Sequence, residues 1–179
     1  MTKNVFISIS CPDRVGLIAA VTGRLFDLGA NLGDTAFAVL GGAAELTTII
    51  EIAEETDLTA IKDELSGLAQ LSEGEVVVAP FLLTPVHGPS AQATHRIAIG
   101  GGDRPGLVAR LSEVFFDFEA NIVRLHAEKR LKGNETQYAV MIDACIPTDV
   151  TDRCLATVDN TAGGLGLTCT WEELPTANS

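Results

Sequence analysis

The chain has 179 residues, of which 46% are hydrophobic and 20% charged, a composition that fits a globular protein and not a disordered one. Acidic side chains outnumber basic ones by 24 to 12, for a net charge of −12. Nucleic-acid phosphates demand clustered Lys and Arg, so direct DNA or RNA binding is not expected, whereas a basic protein surface would be a natural partner.

In chain order, Val5, Ile7 and Ile9 alternate with Phe6, Ser8 and Ser10, which predicts a strand ended by Cys11-Pro12. Leu17, Ile18, Val21, Leu25 and Leu28 then follow helical spacing, from about residue 15 to 29, with Gly29 at the C-terminal cap. A hairpin follows, residues 31–40 and 46–53 around Gly41-Gly42. A second helix starts at Asp57 and carries Leu58, Ile61, Leu65 and Leu68, and a fourth strand spans residues 76–83. Residues 84–93 contain Pro85, Gly88, Pro89 and Ser90 and read as a linker. Beyond it the order repeats: strand 96–100, helix from Leu107, strands 121–130 and 137–145 around Lys132-Gly133-Asn134, helix 149–161 and strand 165–171.

The repetition is in the residues as well as the elements. Nine residues recur at an offset of ninety without a gap: Asp13, Arg14, Gly16, Leu17, Ala19, Phe26, Asp27, Ala30 and Asn31 match Asp103, Arg104, Gly106, Leu107, Ala109, Phe116, Asp117, Ala120 and Asn121. The chain is a duplicated βαββαβ unit, an α+β fold of two tandem ferredoxin-like domains with helices on one face of each antiparallel sheet. The expected division is domain 1 at 1–84, linker 85–93, domain 2 at 94–174 and a tail at 175–179. Crossover handedness puts strands one and three in the middle of each sheet, with strands two and four at the edges. An uncovered edge is compatible with a homodimer.

Each copy presents the same polar loop before its first helix. One reading is structural: Asp13 and Asp103 cap the helix, Pro105 takes its first turn, and Gly16 and Gly106 allow a turn. The other is a site for a zwitterion. Helix N–H groups, with Arg14 or Arg104, suit a carboxylate, and an oxygen of Asp13 or Asn31 suits an ammonium group. A helix of that length is roughly 20 Å long, so Asp13 and Asn31 cannot touch one small molecule within a unit. A shared site needs two units head to tail, Asp13 with Asn121 and Asp103 with Asn31. Asn31 and Asn121 also suit turn positions.

These loops, Asp-Arg-x-Gly-Leu after strand one and Ala-Asn-Leu or Ala-Asn-Ile opening strand two, resemble the signature of the ACT domain, a βαββαβ module that binds amino acids. The similarity spans both units, and a tandem pair with nothing else attached is most similar to the glycine cleavage system transcriptional repressor family. That resemblance implies a non-enzymatic regulator without a cofactor. It would sense a small amino acid such as glycine or serine at a unit interface and act on a protein partner, a transcriptional regulator or a metabolic enzyme. The implied ligand contacts are Asp13, Arg14, Gly16, Leu17, Asn31, Asp103, Arg104, Gly106, Leu107 and Asn121. Several amino-acid-binding ACT domains carry Asn where this chain has Asp13 and Asp103; a carboxylate there favours the ligand's ammonium and repels its carboxylate.

Two alternatives remain at this level, an interaction module without a ligand and an acylphosphatase-like hydrolase. Against the second, Gly100-Gly101-Gly102 has no glycine counterpart at Ser10-Cys11-Pro12. His87, His95 and His126 show no triad spacing, His126 is expected on the surface of an edge strand, and no metal set emerges. Cys11, Cys145, Cys154 and Cys169 lack Cys-x-x-Cys spacing and are expected to be reduced thiols, Cys11 buried and inert. Met1-Thr2-Lys3-Asn4 lacks a leader's apolar run, and no stretch approaches the ~20 apolar residues of a membrane span. A cytoplasmic protein is the expectation.

Overall fold

The computed structural model describes residues 1–132 and 135–175. Its first strand, β1 (Thr2–Pro12), shows why period-two sequences make half-buried strands. Val5, Ile7, Ile9 and Cys11 are buried on one face, while Phe6, Ser8 and Ser10 line the other. Helix α1 (Leu17–Asp27) lays Leu17, Val21 and Leu25 on that buried face. Strands β2 (Asn31–Leu40) and β3 (Ala43–Ala53) turn at Gly41-Gly42. Helix α2 (Leu58–Ser66) is capped by Asp57, whose carboxylate accepts from the Thr59 N–H at 3.0 Å, and β4 (Glu75–Pro80) completes the sheet. The second unit contains β5 (His95–Gly102), α3 (Leu107–Asp117), β6 (Asn121–Lys132), β7 (Glu135–Cys145), α4 (Thr151–Gly164) and β8 (Thr168–Glu173).

Both sheets are antiparallel, in the order β2-β3-β1-β4 and β6-β7-β5-β8, with the first and third strands of each unit central as expected. The chain divides into two units, Met1–Pro85 and Val86–Ser179. Each has its own core: Ile7, Leu25, Ile50, Ile61 and Leu65 in the first, Ile97, Leu111, Phe115, Ile142 and Val158 in the second. Full burial of each such side chain contributes about 1.5–3 kcal/mol over exposure.

Three helices end in the same hydrogen-bond pattern. Ala30 N–H bonds to Leu25 O, Ala120 N–H to Phe115 O and Leu167 N–H to Ala162 O, with a left-handed residue between helix and strand. That residue is Gly29 (φ +76°), Glu119 (φ +53°) and Gly166 (φ +72°) in turn. The last case corrects the sequence reading. Residue 165 was expected to open the final strand, but α4 continues through Gly163 and Gly164, and Leu165 is its C-cap. The chain turns only at Gly166, where a left-handed backbone costs least. Strand β4 likewise stops at Pro80 and not at residue 83. The expected turn at Gly133-Asn134 lies outside the described residues.

The candidate ligand loops

Asp13 and Asp103 do not cap the first helices. The N-cap positions belong to Gly16 (φ +86°) and Gly106 (φ +82°), both left-handed, and neither helix has a side-chain cap. The reversal at glycine occurs one residue before the helix, which leaves the aspartates three positions upstream. Pro105 therefore also precedes the cap and is not in the first turn. A Cβ on either glycine would meet nothing within 4 Å, so the backbone and not packing demands glycine here. The Asp13 N–H bonds to Gly42 O at 2.9 Å, which ties the loop to the tip of the β2–β3 hairpin.

The arginines fasten each loop within its own unit. Arg14 Nη1 donates to Ala69 O at 3.1 Å and to Ser72 Oγ, and its guanidinium lies 3.8 Å from Glu73. Arg104 Nε donates to Leu165 O at 3.0 Å. In both copies the acceptor lies just after the unit's second helix. The side chains of Leu17 and Leu107 are core residues, each 2% exposed, so only their backbone is at the loop.

The acidic and amide groups differ between copies. Asp13 is exposed and its carboxylate has no hydrogen-bond or ion-pair partner among the described residues. Asp103 accepts from Lys129 Nζ at 2.6 Å, and this hydrogen bond holds the Lys129 ammonium above its ordinary pKa. Asn31 is exposed without a side-chain partner among the described residues. Asn121 Nδ2 donates to Ser90 O at 2.8 Å, in the short 3-10 turn Pro89–Ala91. Helices α1 and α3 have 11 residues each, a rise of about 16 Å. They are shorter than expected, but Asp13 and Asn31 still stand at opposite ends.

Lys129 and Ser90 were not foreseen, and neither was a charged row across the second sheet. Arg96 grips Asp143 with Nε at 2.7 Å and Nη2 at 2.9 Å, Arg124 reaches the same carboxylate at 3.4 Å, and Arg96 lies 3.9 Å from Glu172. One residue comes from each of β6, β7, β5 and β8. In the first sheet the three central positions of the corresponding row are apolar, with Phe6 opposite both Ile49 and Ala79. Arg96 and Asp143 lie on the face of the second sheet opposite Ile97, Ile142 and Ala144, and the strand register makes them partners.

The remaining candidates have ordinary surroundings. His126 is exposed on β6, and His95 Nδ1 lies 2.9 Å from Thr94 Oγ1. All four cysteines are free; Cys11 is buried, and burial pushes its thiol above the usual pKa. Among the described residues, no three metal-ligating side chains cluster and no helix is long and apolar enough to cross a membrane.

Fold and loops together resemble a tandem pair of ACT-type units. Residues 3–78 match the family model described as the ACT domain. The first unit is thus an ACT domain, and the second repeats its strand order and its loop. Among solved structures, an unknown protein from Galdieria sulphuraria aligns over 98% of this chain and 100% of its own, with 20% identity and a TM-score of 0.75. A candidate glycine cleavage system transcriptional repressor aligns over 98% of this chain and 99% of its own, with 17% identity and a TM-score of 0.68. At such identities the likeness is one of fold. No curated protein matches the sequence.

Proposed function

We propose that this ACT-type protein is a non-catalytic cytoplasmic sensor of a small amino acid, glycine or serine, that signals to a protein partner such as a transcriptional regulator. The ligand sits where the loop of one unit meets the asparagine of another, Asp13 with Asn121 or Asp103 with Asn31, within a chain or across a homodimer. One observation carries the reading. Of the nine recurring positions, only Leu17 and Leu107 are buried in both copies. Ala19, Phe26, Asp27 and Asn31 are exposed, as are all their counterparts. Core packing does not require the same residues twice on a surface, whereas a shared binding surface does.

The chemistry fits a zwitterion. The Leu17 and Leu107 N–H groups bond to Arg14 O and Arg104 O at 3.3 Å, so the next N–H groups of each first turn, at Ile18 and Ala19 and at Val108 and Ala109, are the ones that favour a carboxylate, while an Asp carboxylate and an Asn Oδ1 accept from an ammonium. An unobstructed glycine on each loop lets a small ligand approach the backbone. The description of the repressor-like relative points the same way, to glycine and to control of transcription. For regulation, the ligand must bind two states of the protein with different affinity.

A thermal-shift series over the common amino acids tests the reading. Ligand at ~100 times its Kd adds about 2.7 kcal/mol of stability. A shift with glycine or serine that is reduced in Asp13→Ala and in Asn121→Ala is expected. No shift with any amino acid overturns the sensor, and turnover of an acyl phosphate overturns its non-catalytic character.

A further inference from the structure

The two loops share a sequence but not a state. Asp103 already holds an ammonium, that of Lys129 at 2.6 Å, while Asp13 holds none among the described residues. The difference traces to one position. Lys129 lies ninety residues after Val39, and the registers of the two hairpins put them at equivalent places: Val39 opposite Ala44, Lys129 opposite Tyr138, each beyond a bulge near the start of its strand. A valine cannot reach over to neutralise an aspartate; a lysine does. The amides differ in the same sense. The Asn121 Nδ2 bond to Ser90 O orients that side chain and leaves its Oδ1 to accept.

We infer that Lys129 is an internal competitor for the ligand's ammonium group, so that the Asp13 loop is the strong site and the Asp103 loop the weak one. This rests on the sensor reading above. The ammonium of an amino acid and that of lysine carry the same charge and offer the same donors, so both cannot occupy the Asp103 carboxylate on equal terms. The pair is exposed, 63% for Lys129 and 37% for Asp103. Displacement is therefore feasible, and the handicap is about fivefold in affinity at most. A sensor with two unequal sites responds over a wider concentration range than one with two equal sites.

Calorimetric titration of the full chain with glycine, and separately with serine, tests this. Two classes of site with unequal affinity are expected. Lys129→Met should strengthen the weaker class about two- to fivefold and leave the stronger unchanged. Val39→Lys should weaken the stronger class, and Asp13→Ala should abolish it. Two equal sites in the wild type, or a Lys129→Met variant identical to it, overturn the inference and leave the sensor standing. Absence of binding to the wild type and to every variant overturns both.

Discussion

Replacing Asp143 by alanine should destabilise the second unit by about 2 kcal/mol. The Asp143 carboxylate is buried, gripped by Arg96 at 2.7 and 2.9 Å and approached by Arg124 at 3.4 Å. Removing one partner of a fully buried pair costs roughly 3–5 kcal/mol, because the other charge is stranded. Here the arginine side chains are 39% and 75% exposed, so water re-solvates much of what is left behind. That brings the expected loss to about 2 kcal/mol, between the surface and buried cases. For a domain of this size it corresponds to a fall in Tm of about 8–16 °C. The double variant Arg96→Phe with Asp143→Ile installs the pair that the first sheet uses, Phe6 opposite Ile49. It should fall within about 1 kcal/mol of wild type, since apolar replacement of a whole ion pair is often neutral. Urea denaturation followed through Trp171, the single tryptophan, reports on this unit because β8 pairs with β5 at Ile97. A single variant within about 0.5 kcal/mol of wild type, or a double variant as unstable as the single one, refutes the reasoning.

The same carboxylate makes stability depend on pH. The hydrogen bond from Arg96, opposed by burial, holds Asp143 below its ordinary value of 3.8. The contribution is therefore complete above the unfolded pKa and lost as pH falls through the depressed folded one. Denaturation midpoints should drop below about pH 4, and Asp143→Asn should flatten that drop. Glu119 takes the left-handed position that Gly29 fills in the first unit. Glu119→Gly should stabilise by about 0.5 kcal/mol, the left-handed cost less the backbone entropy of glycine, and Gly29→Ala should destabilise by about 1 kcal/mol, both read by scanning calorimetry. Burial pushes the Cys154 thiol up to about 11. At pH 8 only about one molecule in a thousand carries its thiolate, so Cys154 should resist a disulfide reagent until the unit unfolds, as mass spectrometry would show.

Much of the fold was legible because it rests on local periodicity. Val5, Ile7 and Ile9 mark a strand, Leu17, Val21 and Leu25 mark a helix face, and a ninety-residue echo marks two copies. Strand order followed from crossover handedness alone. The loop was legible as a motif but not as a geometry. Asp13 looks like a cap because it precedes a helix, yet a left-handed Gly16 takes that position. The competing principle is backbone dihedral preference, which spacing does not encode. Asp103 with Lys129, and Arg96 with Asp143, escaped for another reason. Both partnerships depend on how β5, β6 and β7 are aligned, and a shift of one residue would dissolve them.

The outer strands of the two sheets have different fates in water. Strand β6 carries Arg124, Glu128, Lys129 and Arg130 along its length, while β2 carries a single charge, Asp34. Charged side chains on an outermost strand discourage an incoming chain from hydrogen-bonding to the row of free backbone groups, and an uncharged rim does not. Strand β6 is thus guarded against strand addition and β2 is not. A lysine introduced at Phe37 or Val39 would supply the missing guard on β2.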